Sequence, residues 1–419
     1  MKFSKCAICI TLLLLLLQIL SGCMVNDTKE YINVTQFGVL PANSGRENSQ
    51  NLQKMIDQLS ADGGTLYIPA GEYEFAENGT QTIGSHCVKM RSNVNIIGDG
   101  TSTILKPVGS SQYGLDMFYF NEYLDRNLAV YLENCTFKGF VIDAVGTSCQ
   151  TYTSAGKGFM LNLVKNCHWE NVIVRNTDAT GFGMDCPINC TISQCLAVNC
   201  GKAATWDNGG ASGFGIGFGY SEDENLHMSD CEAYDNRKFG IFFEHQGRFD
   251  ESRYQSEQTG TFTVHSCTAA GNYANFGGIH SMNVVYDNCR SKDALQHGFF
   301  FENALNSKTV NCTSTNDALA SYTVVLTEVQ RGIRNTRNFM LDGCTSTNTK
   351  TGVKAVNNIS DCAMSEITIQ CCSFLQLETT ISISGRMDHV TVINNHSEGQ
   401  NNHFDPDIEN FVHTGNSWN

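Results

Sequence analysis

Five segments of this chain share one plan: ISQCLAVNCG, MSDCEAYDNRKFG, VHSCTAAGNYANFG, YDNCRSKDALQHG and LDGCTSTNTKTG. Each carries a short β-prone stretch into a cysteine (Cys195, Cys231, Cys267, Cys289 or Cys344), passes through small polar residues, often Asn, and reaches a Gly and another apolar strand. The first four cysteines fall 36, 36 and 22 residues apart, which fits a unit of about 22 to 25 residues with loops inserted in some copies. A unit this short cannot bury its own apolar face. Stacked copies can, at about 4.8 Å per rung, the spacing of neighbouring strands. Short strands, Asn-rich corners and no helical pattern between them predict an all-β chain, a single right-handed parallel β-helix over residues 81–419. The cysteines then face inward as a ladder of small hydrophobes. Disulfides among Cys186, Cys190, Cys195 and Cys200 are the competing arrangement.

Residues 31–80 read as a cap. YINVTQFGV is a strand pattern, and SQNLQKMIDQLSADGG places Leu52, Met55, Ile56 and Leu59 at helical spacing before Gly63. A short helix here would shield the open end of the coil and its strand edges. Upstream, Lys2 and Lys5 precede an apolar run ending at Leu20, Ser21, Gly22 and Cys23, the pattern of an export signal rather than a membrane span. Its end resembles the bacterial lipobox, which implies cleavage before Cys23, lipid on the Cys23 thiol, a tether over 24–30 and an extracytoplasmic, membrane-anchored protein. The net charge of −15 argues against nucleic acid, which rewards clustered Lys and Arg.

Aligning strands on a Gly-apolar start (GFMLN, GMDCP, GIGFGY, GIFFEHQ, GIHSMN, GFFFENA, GVKAVNN) predicts which side chains leave the core. Phe159, Met184, Ile216, Ile241, Ile279, Phe299 and Val353 point inward. One outward column then holds Met160, Asp185, Gly217, Phe242, His280, Phe300 and Lys354. A second holds Asn162, Gly219, Glu244, Met282, Glu302 and Val356. Gly217 and Gly219 would leave a dip beside Asp185, Phe242 and Glu244, open to a ligand unless the loop GKAATWDNGGAS packs on it. Trp206, Asp207 and Tyr220 lie in or beside this region in sequence, and an indole face suits a sugar ring. Lys157, Arg175, Lys202, Arg237, Lys238 and Arg248 supply local positive charge.

The block around GGTLYIPAGEYEF and MRSNVNIIGDGTSTILKP resembles the pectate-lyase-like β-helix superfamily. From about Tyr31 to Gly247 the chain is similar to the catalytic module of mannuronan epimerases, which invert carbon 5 of uronic acids. That chemistry needs a cation on the substrate carboxylate, a base to take the carbon-5 proton and an acid to return one. Lyases share its first half. The resemblance carries the family's basic residue to Lys157 in SAGKGF, its aspartate to Asp185 in GFGMDCP, and its arginine to Arg237 in YDNRKFG. It fails at Phe182, where a catalytic tyrosine is expected, at Cys186 and Pro187, where Pro-His is expected, and at Gly217, where a second aspartate is expected. His245, Glu244, Tyr220 and Asp207 are the substitutes at hand.

The expected function is therefore an enzyme acting on an acidic polysaccharide by carbon-5 epimerisation or β-elimination, with Asp185, Lys157, Arg237, Glu244 and His245 as catalytic candidates. Trp206, Asp207, Gly217, Gly219, Tyr220, Phe242 and Glu302 are the substrate-binding candidates. Two alternatives stand beside it. An inverting glycoside hydrolase would use Asp185, Glu244 or Glu302 as a carboxylate pair, and a noncatalytic glycan-binding or adhesin role would need neither. The NTD triplet Asn176–Asp178 suggests polygalacturonases, but their other signatures are absent, so it reads as a coil corner. No His or Cys spacing marks a metal site. No cofactor is required, and the loop Ser221–Asn225 allows a structural calcium.

Overall fold

A computed structural model describes residues 31–81, 83–122, 130–205, 207, 209–246, 259–327, 336–399 and 401–418. The export signal, Cys23 and the tether lie outside the described residues. Residues 33–419 form one compact unit, a parallel β-helix.

One thirteen-stranded face of the coil carries the candidate site. Its successive rungs include β1 (Ser85–Lys89), β2 (Leu115–Phe120), β3 (Phe159–Asn162), β4 (Phe182–Asp185), β5 (Phe214–Phe218) and β6 (Phe239–His245). They continue with β7 (Ala274–Ile279), β8 (His297–Glu302), β9 (Ala320–Leu326), β10 (Thr351–Asn357) and β11 (Thr379–Ser384). The remaining strands join mostly in a twenty-six-stranded sheet.

The core is a set of stacked columns. Phe118, Phe159, Phe182 and Phe214 stack rung on rung with ring centroids 5.4, 5.4 and 4.5 Å apart. The cysteine ladder exists: Cys195, Cys231, Cys267, Cys289, Cys312, Cys344 and Cys372 are buried, and the backbone bonds after each join it to the next rung. Sixteen cysteines are described and all are free thiols, so the pairing among Cys186, Cys190, Cys195 and Cys200 does not form. Corners are turned by Asn in the left-handed region, as at Asn134, Asn166 and Asn189. Their amides bond in series, Asn189 to Asn166 at 2.7 Å and Asn166 to Asn134 at 3.2 Å. Asn tolerates positive φ and repeats its side-chain bond at every rung, so it serves where L-residues are otherwise strained.

The helix α1 (Gly45–Leu59) is capped by Ser44 and buries Leu52, Met55 and Ile56. Gln53 bonds both backbone groups of Lys89, at 2.9 and 2.7 Å. It thereby satisfies edge groups of β1 that would otherwise invite another strand.

The register differs from the sequence alignment in an instructive way. The glycines that abut the next rung's carbonyl are Gly158, Gly181, Gly213, Gly240, Gly298 and Gly352; a methyl on any of them would lie 2.5 to 2.8 Å from that oxygen. Gly183 and Gly215, which head the sequence pattern in these strands, lie two residues further on, a difference that preserves the facing. In β7 the equivalent position is Asn275, not Gly278, an odd slip that reverses the facing. Ile279 therefore points out, between Glu244 and Glu302, and His280 is buried at 5% exposure with φ +50°. Met282 is likewise buried, bridged to Leu305 off this face. The alignment also omitted β9, whose Ser321 stands where other rungs have glycine.

Candidate active site

Asp185, Gly217 and Glu244 are register partners on β4, β5 and β6, so they form one outward column. Gly217 pairs with Glu244, where the alignment had paired it with Phe242. The column explains the bare strand GFGIGFGY. A methyl at Gly217 would strike Asp185 Oδ1 and sit 2.8 Å from both Asp185 Cγ and Gln246 Cγ. The glycine thus lets the Asp185 carboxylate lie across β5 toward Glu244. The described residues of the loop GKAATWDNGGAS do not fill this space. They contribute a wall through Gly210 and Ser212, held by a 2.7 Å hydrogen bond from the Tyr152 hydroxyl to Gly209 O.

The cleft so formed has a volume of about 70 Å³ and is lined by Lys157, Asp185, Phe242, Glu244 and Gln246 over a floor of Gly183, Gly215 and Gly217. Lys157 runs its stem over Gly183, whose missing Cβ would meet Lys157 Cδ at 2.7 Å, and its Nζ lies 3.2 Å from Met160 Sδ. The backbone beneath it is fixed by buried Asp116, which accepts from Gly156 N at 2.8 Å and Lys157 N at 2.6 Å. Burial raises the Asp116 pKa, and these bonds pull it back. Phe242 is half-buried and stacks on Phe239 at 4.3 Å.

Other candidates fall elsewhere. His245 is 1% exposed and pairs in register with inward-facing Phe218, with its ring edge-on to that phenyl at 5.5 Å. Successive strand residues alternate faces, so an outward Glu244 forces His245 inward, and its place as a catalytic candidate is corrected. Gly219 lies past the end of β5 with φ +105°, and the His245 ring occupies the space where its side chain would be. It is not part of the cleft floor. Tyr220 is partly exposed, edge-on to Tyr131 at 6.4 Å and away from the cleft lining. Arg237 is exposed at a corner, where its Cβ abuts Gly201, and does not line the cleft. Arg175 pairs with Asp143 at 2.9 Å and Lys202 with buried Asp178 at 3.4 Å. Glu302 lies two rungs beyond Glu244 and accepts from Thr327 Oγ1 at 2.6 Å. Asp207 is exposed and accepts a hydrogen bond from Thr205. Trp206 and Arg248 lie outside the described residues. Phe182 is fully buried in the phenyl stack.

Two further residues near the site carry little sequence signal. Lys238 is half-buried and feels the Glu244 carboxylate, although it does not line the cleft. Burial lowers its pKa, while the carboxylates of Glu244, Asp207 and Glu302 raise it. Glu224 is fully buried just after the glycine strand. Its carboxylate accepts from Gly219 N (2.5 Å), Tyr220 N (2.8 Å) and Ser221 N (2.7 Å). Burial raises its pKa to about 7 against those donors. Glu224 belongs to the loop suggested for calcium, but its oxygens face amide donors, an arrangement suited to holding the loop. Among the described residues no group of three or more His, Cys, Asp or Glu is placed to hold a metal.

Residues 31–300 match the model of the rhamnogalacturonase A/epimerase, pectate lyase-like family. The chain belongs to that family. It is 37% identical over 78 residues to the mannuronan C5-epimerase AlgE1 of Azotobacter vinelandii, a match covering 18% of this chain and 5% of that protein. Among solved structures, the A-module of Azotobacter vinelandii mannuronan C-5 epimerase AlgE6 superposes with TM-score 0.58 at 17% identity, covering 93% of this chain and 99% of that one. The Yersinia enterocolitica family 28 exopolygalacturonase superposes with TM-score 0.67 at 13% identity, covering 92% and 78%. At such identities the structural likeness establishes the fold, which hosts both epimerases and hydrolases. A carbohydrate-active β-helix is the reading these relatives share.

Proposed function

We propose that the protein is a polysaccharide hydrolase acting on a carboxylated glycan, with Asp185 and Glu244 as its carboxylate pair. The observation that carries this is the single column Asp185, Gly217, Glu244. Two rungs separate the carboxylate-bearing backbones by roughly 9.6 Å. Asp185 leaning over Gly217 shortens the gap toward the roughly 6.5 to 9.5 Å of inverting glycosidases. The carboxyl that holds a proton gives it to the glycosidic oxygen. The other takes a proton from the water that attacks the anomeric carbon from the opposite side. Lys157 in the same cleft supplies a cation for a sugar carboxylate, and Lys238 stands near Glu244. Epimerisation or elimination at carbon 5 is the second reading, supported by Lys157 and Asp185 sharing the cleft. It is weakened by Phe182 and Pro187, which stand where the epimerase pattern has its tyrosine and histidine, and by the inward turn of the substitute His245. The N-terminal apolar run ending at Cys23 supports action outside the cytoplasm, on a lipid tether.

The test is incubation with alginate, polygalacturonate, rhamnogalacturonan and a soluble neutral glucan, following reducing ends, unsaturated ends and deuterium entry at carbon 5. Hydrolysis predicts reducing ends without unsaturation. Asp185→Asn and Glu244→Gln should each lower the rate by about 10²- to 10⁴-fold. Deuterium entry or unsaturated ends that both variants abolish would replace hydrolysis by the second reading. Turnover that neither variant affects would remove the site.

A further inference from the structure

A cleft of about 70 Å³ is small beside a polysaccharide, so further rings of a bound polymer must rest on the surface flanking it. The neighbouring outward column runs Lys89, Tyr119, Met160, Gly183, Gly215, Phe242, Gly277, Phe300, Thr323, Lys354 in unbroken register. We propose that this column is an extended glycan track, in which Tyr119 on the N-terminal side of the cleft and Phe242 and Phe300 on the C-terminal side stack against sugar rings. The proposal rests on the cleft being the centre of a polysaccharide-processing site.

Each of these rings is half-exposed and braced by another ring. Tyr119 lies on buried His86, with centroids 4.7 Å apart and planes 9° apart. Phe242 lies on buried Phe239, and Phe300 lies 6.3 Å from that same phenyl and 5.1 Å from buried His297. Gly277 makes this bracing possible. A methyl there would meet Phe239 Cε1 at 2.6 Å, so the absent side chain lets one buried phenyl underlie two exposed ones across three rungs. A ring held from behind and open in front loses little freedom on stacking.

The occupant fits a glycan better than a protein. The column is continuous with the cleft, and its rung of about 4.8 Å is close to the length one pyranose adds to a chain. From Tyr119 to Phe300 it spans six rung steps, roughly 29 Å, enough for about six sugars. Cations stand at its ends, Lys89 paired with Glu122 at 2.5 Å and Lys354 beside His297.

The test measures retardation of the protein in native gels cast with alginate, polygalacturonate, rhamnogalacturonan or the soluble neutral glucan. Competition by three-sugar and eight-sugar fragments of the retarding polymer follows. The wild type should bind eight-sugar fragments more tightly. Tyr119→Ala and Phe300→Ala should each weaken that binding about five-fold and leave three-sugar binding within two-fold. Phe300→Leu, which keeps apolar bulk but no ring, should match Phe300→Ala if stacking is the cause. The proposal falls if no polymer retards the protein, if affinity is equal for both lengths, or if the variants bind as wild type does. It also falls if sedimentation shows a dimer that Phe300→Ala dissolves, since the column is then a protein interface. Length-dependent binding lost in these variants, with turnover indifferent to Asp185→Asn and Glu244→Gln, would uphold the track and reject the hydrolase.

Discussion

Gly217→Ala isolates the chemistry of the cleft from the stability of the fold. Gly217 does not occupy the left-handed region, so alanine meets no backbone strain, and replacing glycine within a strand stabilises by about 0.5 to 1 kcal/mol. The new methyl would lie 2.8 Å from Asp185 Cγ and Gln246 Cγ. Both side chains must retreat by roughly 1 Å to reach ordinary carbon contact distance. Pushing Asp185 off its rotamer costs about 0.5 to 1.5 kcal/mol, so the two stability effects nearly cancel and the melting temperature should hold within about 3 °C. Catalysis should not hold, because a displacement of about 1 Å in a reacting group is worth about 10²-fold in rate. The assay is reducing-end release beside thermal unfolding, in wild type, Gly217→Ala, Asp185→Asn and the double variant. If the methyl acts through Asp185, Gly217→Ala costs nothing further once Asp185 is Asn, and the cycle shows strong coupling. Additive losses, full activity in Gly217→Ala or a collapse in melting temperature would each refute the account of why this strand carries glycine.

Two further outcomes follow from the interior. Glu224 has a folded pKa of about 7, above its unfolded value, so the native state holds the proton more tightly. Its contribution is full below about pH 4.3 and is lost as pH rises toward 7, by at most roughly 4 kcal/mol. Denaturant midpoints should therefore fall between pH 4.5 and 7.5, and Glu224→Gln should flatten that slope; an unchanged slope in the variant would show that other groups cause it. For the thiols, a protein beginning at residue 31 should react with a disulfide reagent first at exposed Cys371, then at partly exposed Cys149 and Cys362. All sixteen should react on unfolding, and a smaller number would mean that ladder cysteines are oxidised.

The repeat, the helix and the cysteine ladder were legible because each depends on spacing within a few residues. Stacking simply multiplies a local pattern. Register was not legible to the same degree, for a reason visible at Gly181 and Gly183 or at Gly213 and Gly215. Each pair offers two glycines of one parity, and only contact with the next rung's carbonyl decides which one the coil requires. Where that position is filled by Asn275 or Ser321, the motif loses its marker, and the strands at Ile279 and Tyr322 were misread or missed. His245 was within reach: parity beside an outward Glu244 suffices to turn it inward. Lys238 and Glu224 were not, since corner and loop residues have no period: Lys238 is one of many scattered cations in the sequence, and Glu224 is held by the Gly219, Tyr220 and Ser221 N–H groups of its own loop. The active column shares this dependence. Asp185, Gly217 and Glu244 stand in line because Gly181, Gly213 and Gly240 let their backbones approach the next carbonyl. A larger residue at any of the three would act on the carboxylate pair through register, although none touches it.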